Sequence, residues 1–418
     1  MMIQVSTGLQ SADRGTEGRG ALGVALMAFL VTCVFDPADK FLGIKVWIFL
    51  LCWLFAAVAM ATSTRRATVS AGLLAYTLTF IIVPLLSIAW YTVNDGGEPF
   101  EGFSMLKGYV LITLAPLLVL SRVNLLKQLS AVLTMLAIGV IGVFIGLLVE
   151  PGLYAPLSIF GEATGIVMLD NRDYGAEVVL LQVYFVTSPM LAISIAYYFD
   201  QAMSAPSRKA KVGYFTLMLI NILGMLLAGT RNNILISILL PLALWFLHTR
   251  HRALGILLSV GAVAGLLMFF FNEISAFFDP TEISNSTKLA MLKDYSIIFS
   301  DPITLLFGQG LGAYHFWEDR GSYFYVTELT YLEMIRNFGI FGAAVMAALL
   351  VFPFIHAFML NPRFREKEVV IGYAAYLVMC ISNPNLFSSM GILILSVILA
   401  KIYLSPSMNK TPRIRGPV

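Results

Sequence analysis

Long apolar runs, separated by short polar segments, fill most of this sequence. Several runs reach the roughly 18 residues at which a helix can cross the hydrocarbon core of a bilayer. The pattern predicts twelve membrane-spanning helices at residues 20–35, 46–62, 69–92, 106–121, 129–149, 178–199, 212–229, 233–248, 253–271, 331–360, 369–387 and 389–404. No clear small-residue cleavage site follows the first span, so we interpret it as an uncleaved helix rather than a signal peptide.

The composition agrees with a chain embedded in a membrane. Of the 418 residues, 59% are hydrophobic and 12% are charged, whereas about one-quarter of a soluble domain is charged. We therefore predict an all-α fold, a polytopic integral membrane protein with a single transmembrane domain over residues 1–418. Cys33, Cys52 and Cys380 lie in apolar runs, which favours buried small side chains over disulfides or a metal site.

Basic residues sort to one side of the predicted helices. With both termini in the cytoplasm, the cytoplasmic segments carry 18 of the 27 Lys and Arg residues and only 5 of the 24 Asp and Glu residues. Cytoplasmic loops are normally enriched in Lys and Arg, so this distribution supports the orientation.

The orientation places two long polar segments on the periplasmic side. One is a loop over residues 150–177, and the other is a large loop over residues 272–330. The large loop is too long for a simple connector. Residues 288–299 within it have the apolar spacing of an amphipathic helix, so we expect the loop to be partly helical. No segment of the chain has a clear strand pattern.

Two polar clusters lie near predicted periplasmic ends of spans. The segment GTRNN at 229–233 interrupts an apolar stretch so briefly that it predicts a tight hairpin, with Arg231 at the start of the next helix. A helix N-terminus favours an anion, and a guanidinium binds phosphate through two hydrogen bonds; the alternative is an arginine that reaches lipid headgroups. The segment DNRD at 170–173 is either a substrate-binding segment or a turn with a local ion pair.

A glycine-rich stretch and a histidine lie late in the large loop. The segment FGQGLGAYH at 307–315 has three glycines at alternate positions, which permit a sharp bend or a close approach of the backbone to a ligand. His315, at its end, is either a structural hydrogen-bonding group or a base.

Charged residues also open the tenth predicted span. Glu333 and Arg336 are three residues apart, so they can form an ion pair on one helix face. Glu328 precedes them at the start of the helix and has no obvious local partner. It is therefore the better candidate for a general base.

In their order and spacing, these segments resemble the bacterial O-antigen polymerase family (Wzy-type), within the wider O-antigen ligase-like membrane glycosyltransferase superfamily. The similarity covers roughly residues 175–400 and rests on GTR at 229–231, LFGQGLG at 306–312, ELTYL at 328–332, FGIFG at 338–342 and NPN at 383–385. Ligases of the superfamily usually have a His-Asn-x-Tyr-Leu-like element in place of 328–332. Glu328 stands where that histidine would be, which favours a polymerase and leaves His315 as a substitute base.

The resemblance implies an inverting, metal-independent glycosyltransferase without a cofactor, in the bacterial inner membrane. It would polymerise oligosaccharide repeat units at the periplasmic face. The growing glycan on undecaprenyl diphosphate would be the donor and a single lipid-linked repeat unit the acceptor. The lipid bilayer and a chain-length regulator protein are its further expected partners, and nucleic acid is not one. The catalytic residues that we predict are Glu328, Arg231 and His315, and the predicted substrate-binding residues are Arg172, Arg336, Asn232, Arg320 and Tyr331.

Two other functions remain open from the sequence. One is ligase-type transfer of a finished glycan to a different acceptor. The other is a flippase or transporter of lipid-linked oligosaccharides, which should show repeated halves and broken helices near the bilayer midplane. Pro84, Pro116 and Pro189 do interrupt predicted spans, but the charged residues gather at the membrane faces.

Overall fold

The structure is a computed structural model that describes residues 16–37, 40, 43–62, 68–94, 96–173, 179–248, 261, 283–317, 321–324, 326–361, 364 and 366–405. The helices are α1 Thr16–Phe35, α2 Ile44–Thr62, α3 Ala71–Asn94, α4 Phe100–Val110, α5 Leu114–Ser121, α6 Leu126–Val149, α7 Tyr154–Thr164, α8 Leu191–Ser204, α9 Arg208–Leu227, α10 Arg231–His248, α11 Ile283–Ile298, α12 Pro302–Phe307, α13 Thr330–Ile355, α14 Lys367–Met379 and α15 Ser389–Leu404. The strands are β1 Val167–Asp173, β2 Val179–Phe185, β3 His315–Trp317 and β4 Ser322–Phe324.

Seven helices in the described part of the chain are long and apolar enough to cross a membrane. They are α2, α3, the continuous unit of α4 and α5, α6, α9, α10 and α13 with the π-helical turn that extends it to Leu360. Each overlaps a span predicted from the sequence, which confirms a predominantly helical chain with several candidate spans. The segment Gly20–Phe35 of α1 and the helix α15 are also apolar but shorter, and the total of twelve spans stays a prediction. Apart from residue 261, the span predicted at 253–271 lies outside the described residues.

The predicted start of the span at 178–199 is wrong. Residues 179–185 form β2, which pairs antiparallel with β1 so that Val167 lies opposite Phe185. Helix α8 begins only at Leu191 and has 14 residues. A continuous apolar run does not distinguish a buried strand from a buried helix, and this ambiguity is the reason for the error. The span predicted at 369–387 also ends early, because α14 stops at Met379.

Helix α8 is buried among other helices rather than exposed to lipid. It contacts α6, α9, α10 and α14, and most of its residues are buried. The Ser194 hydroxyl donates to Asn221 Oδ1 at 2.6 Å, and Asn221 Nδ2 donates to Thr134 Oγ1 at 2.9 Å. These hydrogen bonds between buried side chains join α6, α8 and α9.

The glycine-rich segment (residues 308–312) packs directly against helix backbones. Gly308 and Gly310 have φ values of 82° and 102°, which favour glycine. A Cβ atom on Gly308 would lie 2.6 Å from the backbone nitrogen of Gly339, and one on Gly310 would lie 2.7 Å from the Ser87 carbonyl oxygen. Gly339 itself has a φ of 64° at a kink in α13. These glycines therefore allow backbone segments of the protein to approach each other.

We expect Gly339→Ala to lower the free energy of unfolding by about 1–3 kcal/mol, because a left-handed backbone conformation strains a residue with a Cβ atom. That Cβ would also overlap the Leu306 carbonyl oxygen. Thermal unfolding of the purified protein in detergent measures the effect. The matched control is Gly139→Ala, a helical glycine with open space where its Cβ would be. An equal loss of stability in both variants would contradict the role assigned to the kink.

Candidate functional site

The predicted GTR hairpin forms a tight turn between α9 and α10. Gly229 has a φ of 68°, and the Thr230 hydroxyl accepts a hydrogen bond from the Asn233 N–H at 3.2 Å, which caps α10. A Cβ on Gly229 would lie 2.8 Å from Cγ of Gln182, so the turn lies against β2. The partner strand β1 carries Arg172, of which the structure describes only the backbone.

Arg231 and Asn232 contact segments that are distant in the sequence. Arg231 Nη1 donates to Asn285 Oδ1 at 3.0 Å, and Asn285 belongs to α11. Helix α11 includes most of the helix predicted in the large loop. Asn232 Nδ2 donates to the Ser382 hydroxyl at 2.6 Å, just beyond α14. The hairpin is thereby fixed to both the large loop and the end of α14.

Residues 382–389, which contain the Asn-Pro-Asn sequence and are called the NPN turn below, connect four helix N-termini. Asn232, in the first turn of α10, binds Ser382. Thr330, the first residue of α13, donates its hydroxyl hydrogen bond to the Asn383 carbonyl at 2.6 Å. Lys45, in the first turn of α2, donates from Nζ to the hydroxyl of Ser389, the first residue of α15, at 3.2 Å. We call this meeting point of α2, α10, α13 and α15 the helix-end junction.

Glu328 and Tyr331 lie at the start of α13 within this junction. The Tyr331 hydroxyl donates to the Leu377 carbonyl at 2.7 Å and so attaches α13 to α14. The Glu328 side chain is exposed. Burial raises the pKa of the Tyr184 phenol on β2, and the nearby Glu328 carboxylate raises it further. Glu328 is thus an accessible carboxylate beside the junction, as a general base requires.

Arg336 is 1% exposed and is held by internal contacts. Its Nε donates to Glu333 Oε2 at 3.1 Å and its Nη2 donates to Glu333 Oε1, which confirms the predicted ion pair. Its Nη1 donates to Gln309 Oε1 at 3.1 Å and to the Ala313 carbonyl at 2.9 Å. The Tyr295 hydroxyl on α11 completes the network by donating to Glu333 Oε2 at 2.7 Å. Binding of substrate by Arg336 stays a prediction, and it would require this network to open.

His315 lies beside the same network. Burial lowers the pKa of its imidazole from the ordinary value, and the Arg336 guanidinium lowers it further, so the ring is neutral at pH 7. His315, Asp294 and Trp317 line one small gap together with Arg336. A neutral imidazole close to a carboxylate can accept a proton, but its catalytic role stays a prediction.

A cavity of about 730 Å³ lies between α2, α4, the start of α13 and the NPN turn. Its volume is within the range of small-ligand pockets, about 300–1,000 Å³. The polar side chains that line it are Lys45, Ser104, Lys107, Thr327, Thr330, Glu333, Asn337, Ser388 and Ser389. Much of the remaining wall is apolar and comes from α2 and α4. The cavity therefore combines cationic and hydroxyl groups with a hydrocarbon surface.

The predicted site residues divide into two groups. Arg231, Asn232, Glu328 and Tyr331 lie at or next to the helix ends that form the junction, whereas His315 and Arg336 belong to the buried network behind the start of α13. None of these six residues lines the cavity. The remaining two are Arg172, described above, and Arg320, which lies outside the described residues.

Sequence reasoning misses the two lysines of the cavity. Lys45 directly precedes a predicted span and Lys107 lies inside another. The sequence feature that could have identified them is a lone lysine within or next to an apolar run. A charged side chain at membrane depth usually faces a water-filled or functional cavity. Among the described residues, no group of three or more His, Cys, Asp or Glu side chains is arranged to hold a metal ion.

Comparison with protein-family models finds no match to this chain, and comparison with curated proteins finds none either.

We expect Arg336→Met to lower the free energy of unfolding by about 3–5 kcal/mol, because Glu333 would keep a buried charge without its cation. Unfolding of the purified protein in detergent measures the loss. The double variant Glu333→Gln with Arg336→Met should recover much of it, since neither charge then remains. A single variant with wild-type stability but impaired substrate binding would show that Arg336 acts on substrate instead.

Proposed function

We propose that this protein is a membrane glycosyltransferase that polymerises polyprenyl-diphosphate-linked oligosaccharide repeat units at the helix-end junction. The observation that carries the proposal is that the NPN turn links four helix N-termini and also lines the amphiphilic cavity. Arg231 is the first residue of one of these helices, and Glu328 lies two residues before another. The proposal includes the periplasmic face of the bacterial inner membrane, as the distribution of basic residues indicates.

The positive end of the helix dipoles suits a diphosphate leaving group. Each helix N-terminus carries roughly half a positive charge, and four of them meet around the NPN turn. Arg231 adds a guanidinium at the N-terminus of α10, where Asn285 orients it. Preorganised positive charge of this kind stabilises an anion that develops in the transition state.

In the proposed reaction, a hydroxyl group of the acceptor repeat attacks the anomeric carbon of the donor glycan. The new bond joins that oxygen to the anomeric carbon, and the bond between the anomeric carbon and the diphosphate oxygen breaks. The hydroxyl proton passes to the Glu328 carboxylate, and polyprenyl diphosphate leaves as an anion next to Arg231. A single displacement inverts the anomeric configuration, and it needs no further reactant.

The cavity favours a lipid-linked substrate over a soluble sugar nucleotide. Its apolar wall comes from α2 and α4, both of which belong to candidate membrane spans. Thr327 and Thr330 line the cavity on either side of Glu328 in the sequence. A polyprenyl chain held against these helices would therefore bring its sugar to the level of the proposed base.

We expect purified wild-type protein in lipid nanodiscs to convert one defined lipid-linked repeat into a ladder of longer products. Arg231→Ala and Glu328→Ala should each reduce the rate of extension by about 100-fold or more, the usual contribution of a positioned base or anion-stabilising group. Gel electrophoresis of the labelled lipid products measures the rate. The matched controls are Arg208→Ala and Glu162→Ala, which replace exposed residues outside the junction and should extend normally.

Size-exclusion profiles and thermal unfolding must show that each variant inserts and folds as the wild type does. Extension at the wild-type rate by the Arg231→Ala and Glu328→Ala double variant would refute the site. A single product on a different acceptor, without a ladder, would favour ligase-type transfer.

A further inference from the structure

Lys45 is a buried cation whose contacts are neutral. It is 5% exposed, and its Nζ donates to the Ser389 hydroxyl at 3.2 Å and to the Pro37 carbonyl at 3.4 Å. Both distances are at or beyond the long end for an N–H···O hydrogen bond. Within the part of the chain that the structure describes, Lys45 forms no ion pair. A buried ammonium normally requires a paired anion, because desolvation disfavours its charged form.

Two helix N-termini add positive charge at the same point. Lys45 lies in the first turn of α2, which contains no acidic residue. Ser389 begins α15, and the preceding Ser388 makes no side-chain capping hydrogen bond. A cation at a helix N-terminus is electrostatically unfavourable, and a second N-terminus beside it increases the repulsion. An anion bound here would relieve the repulsion.

Lys107 supplies a second ammonium to the same cavity. It lies on α4 within the apolar candidate span Phe100–Ser121, where a charged side chain is costly unless it faces a polar cavity. Glu333 also lines the cavity, but its carboxylate is already paired with Arg336. Among the described side chains that line the cavity, the two lysines therefore leave a net positive charge for a ligand.

The shape of the cavity indicates an amphiphilic anion. Val46 and Leu50 on α2 and Phe103 and Val110 on α4 all line the cavity, and all four side chains are exposed. The cavity thus opens between two candidate spans, where lipid would surround them. At the inner wall, the rings of Tyr109 and Phe387 stack with centroids 5.1 Å apart.

We propose that Lys45 and Lys107 bind the diphosphate of a second polyprenyl-linked substrate, whose prenyl chain leaves the cavity between α2 and α4. This assignment rests on the proposed function, which requires two lipid-linked substrates at once. Asn232, the neighbour of Arg231, and Lys45 contact opposite ends of the NPN turn, at Ser382 and Ser389. Seven Cα–Cα steps join these two serines, so their Cα atoms lie no more than about 25 Å apart. Two diphosphates can therefore flank the start of α13.

The test measures binding of sugar-free, fluorescent polyprenyl diphosphate to full-length protein in phosphatidylcholine nanodiscs. Wild-type protein should bind two molecules, and the double variant Lys45→Ala with Lys107→Ala should bind one. Lys107→Ala alone should weaken one of the two sites roughly tenfold, as expected for the loss of a hydrogen bond to a charged group. Since Lys107 is exposed, this variant should fold even if Lys45→Ala does not. Lys40→Ala, an exposed lysine outside the cavity lining, is the matched control.

Each outcome supports or overturns the proposal. Unchanged stoichiometry and affinity in the double variant would overturn it. Phosphatidylglycerol that displaces the probe when both are present in the nanodisc at the same mole fraction would identify a general phospholipid site. Inorganic diphosphate that fully displaces the probe at the same concentration would show that the prenyl chain is not recognised. Either result overturns the assigned ligand. Glu328→Ala should bind two molecules, so a failure of glycan extension and a failure of this binding site give different results.

Discussion

The buried ion pair between Glu333 and Arg336 fixes the arrangement on which the candidate site depends. Such a pair is tolerable only when the remaining donors and acceptors also find partners. Gln309, the Ala313 carbonyl and Tyr295 supply those partners, so the glycine-rich segment and α11 must both lie against α13. The network thereby sets the position of the first turn of α13. Glu328 lies two residues before this first turn. Thr330, the first residue of the turn, makes the contact with the NPN turn.

The helix-end junction is a second constraint, and it acts against stability. Four helix N-termini share one short turn, and Lys45 adds a buried positive charge to them. Residues whose local interactions oppose folding are expected mainly at functional sites, where the function requires them and the rest of the protein compensates for the lost stability. Of the carboxylates near the start of α13, Glu333 lines the same cavity as Lys45 but is already paired with Arg336, and the exposed Glu328 does not line that cavity. An anionic ligand is the simple physical explanation for the remaining positive charge.

Local sequence patterns predict those parts of the structure that depend on neighbouring residues. The GTR turn, the helix in the large loop and the Glu333–Arg336 pair are of this kind, because a glycine turn, an apolar spacing and a three-residue separation are each visible in a short window. The strand β2 is not, because its apolar run resembles a membrane helix until its partner strand is known. The burial of Lys45 is even harder to predict from a short stretch of sequence. Its contact Ser389 is 344 residues away, so only the folded chain reveals that the lysine is buried in a cavity.

The two cationic positions differ in a way that matches the chemistry of the proposed reaction. The donor loses its bond to the diphosphate, so that group gains negative charge in the transition state and benefits from a rigid guanidinium with paired donors, such as Arg231. The acceptor diphosphate keeps the same charge throughout and needs only to be held. An ammonium is a flexible point charge, which is sufficient for that purpose. We therefore assign the donor diphosphate to Arg231 and the acceptor diphosphate to Lys45 and Lys107. In this assignment the group that binds an anion more strongly, the guanidinium, lies where negative charge develops. Glu328 lies just before α13, whose first residue, Thr330, contacts the NPN turn, and the proposed reaction has it accept the proton of the acceptor hydroxyl.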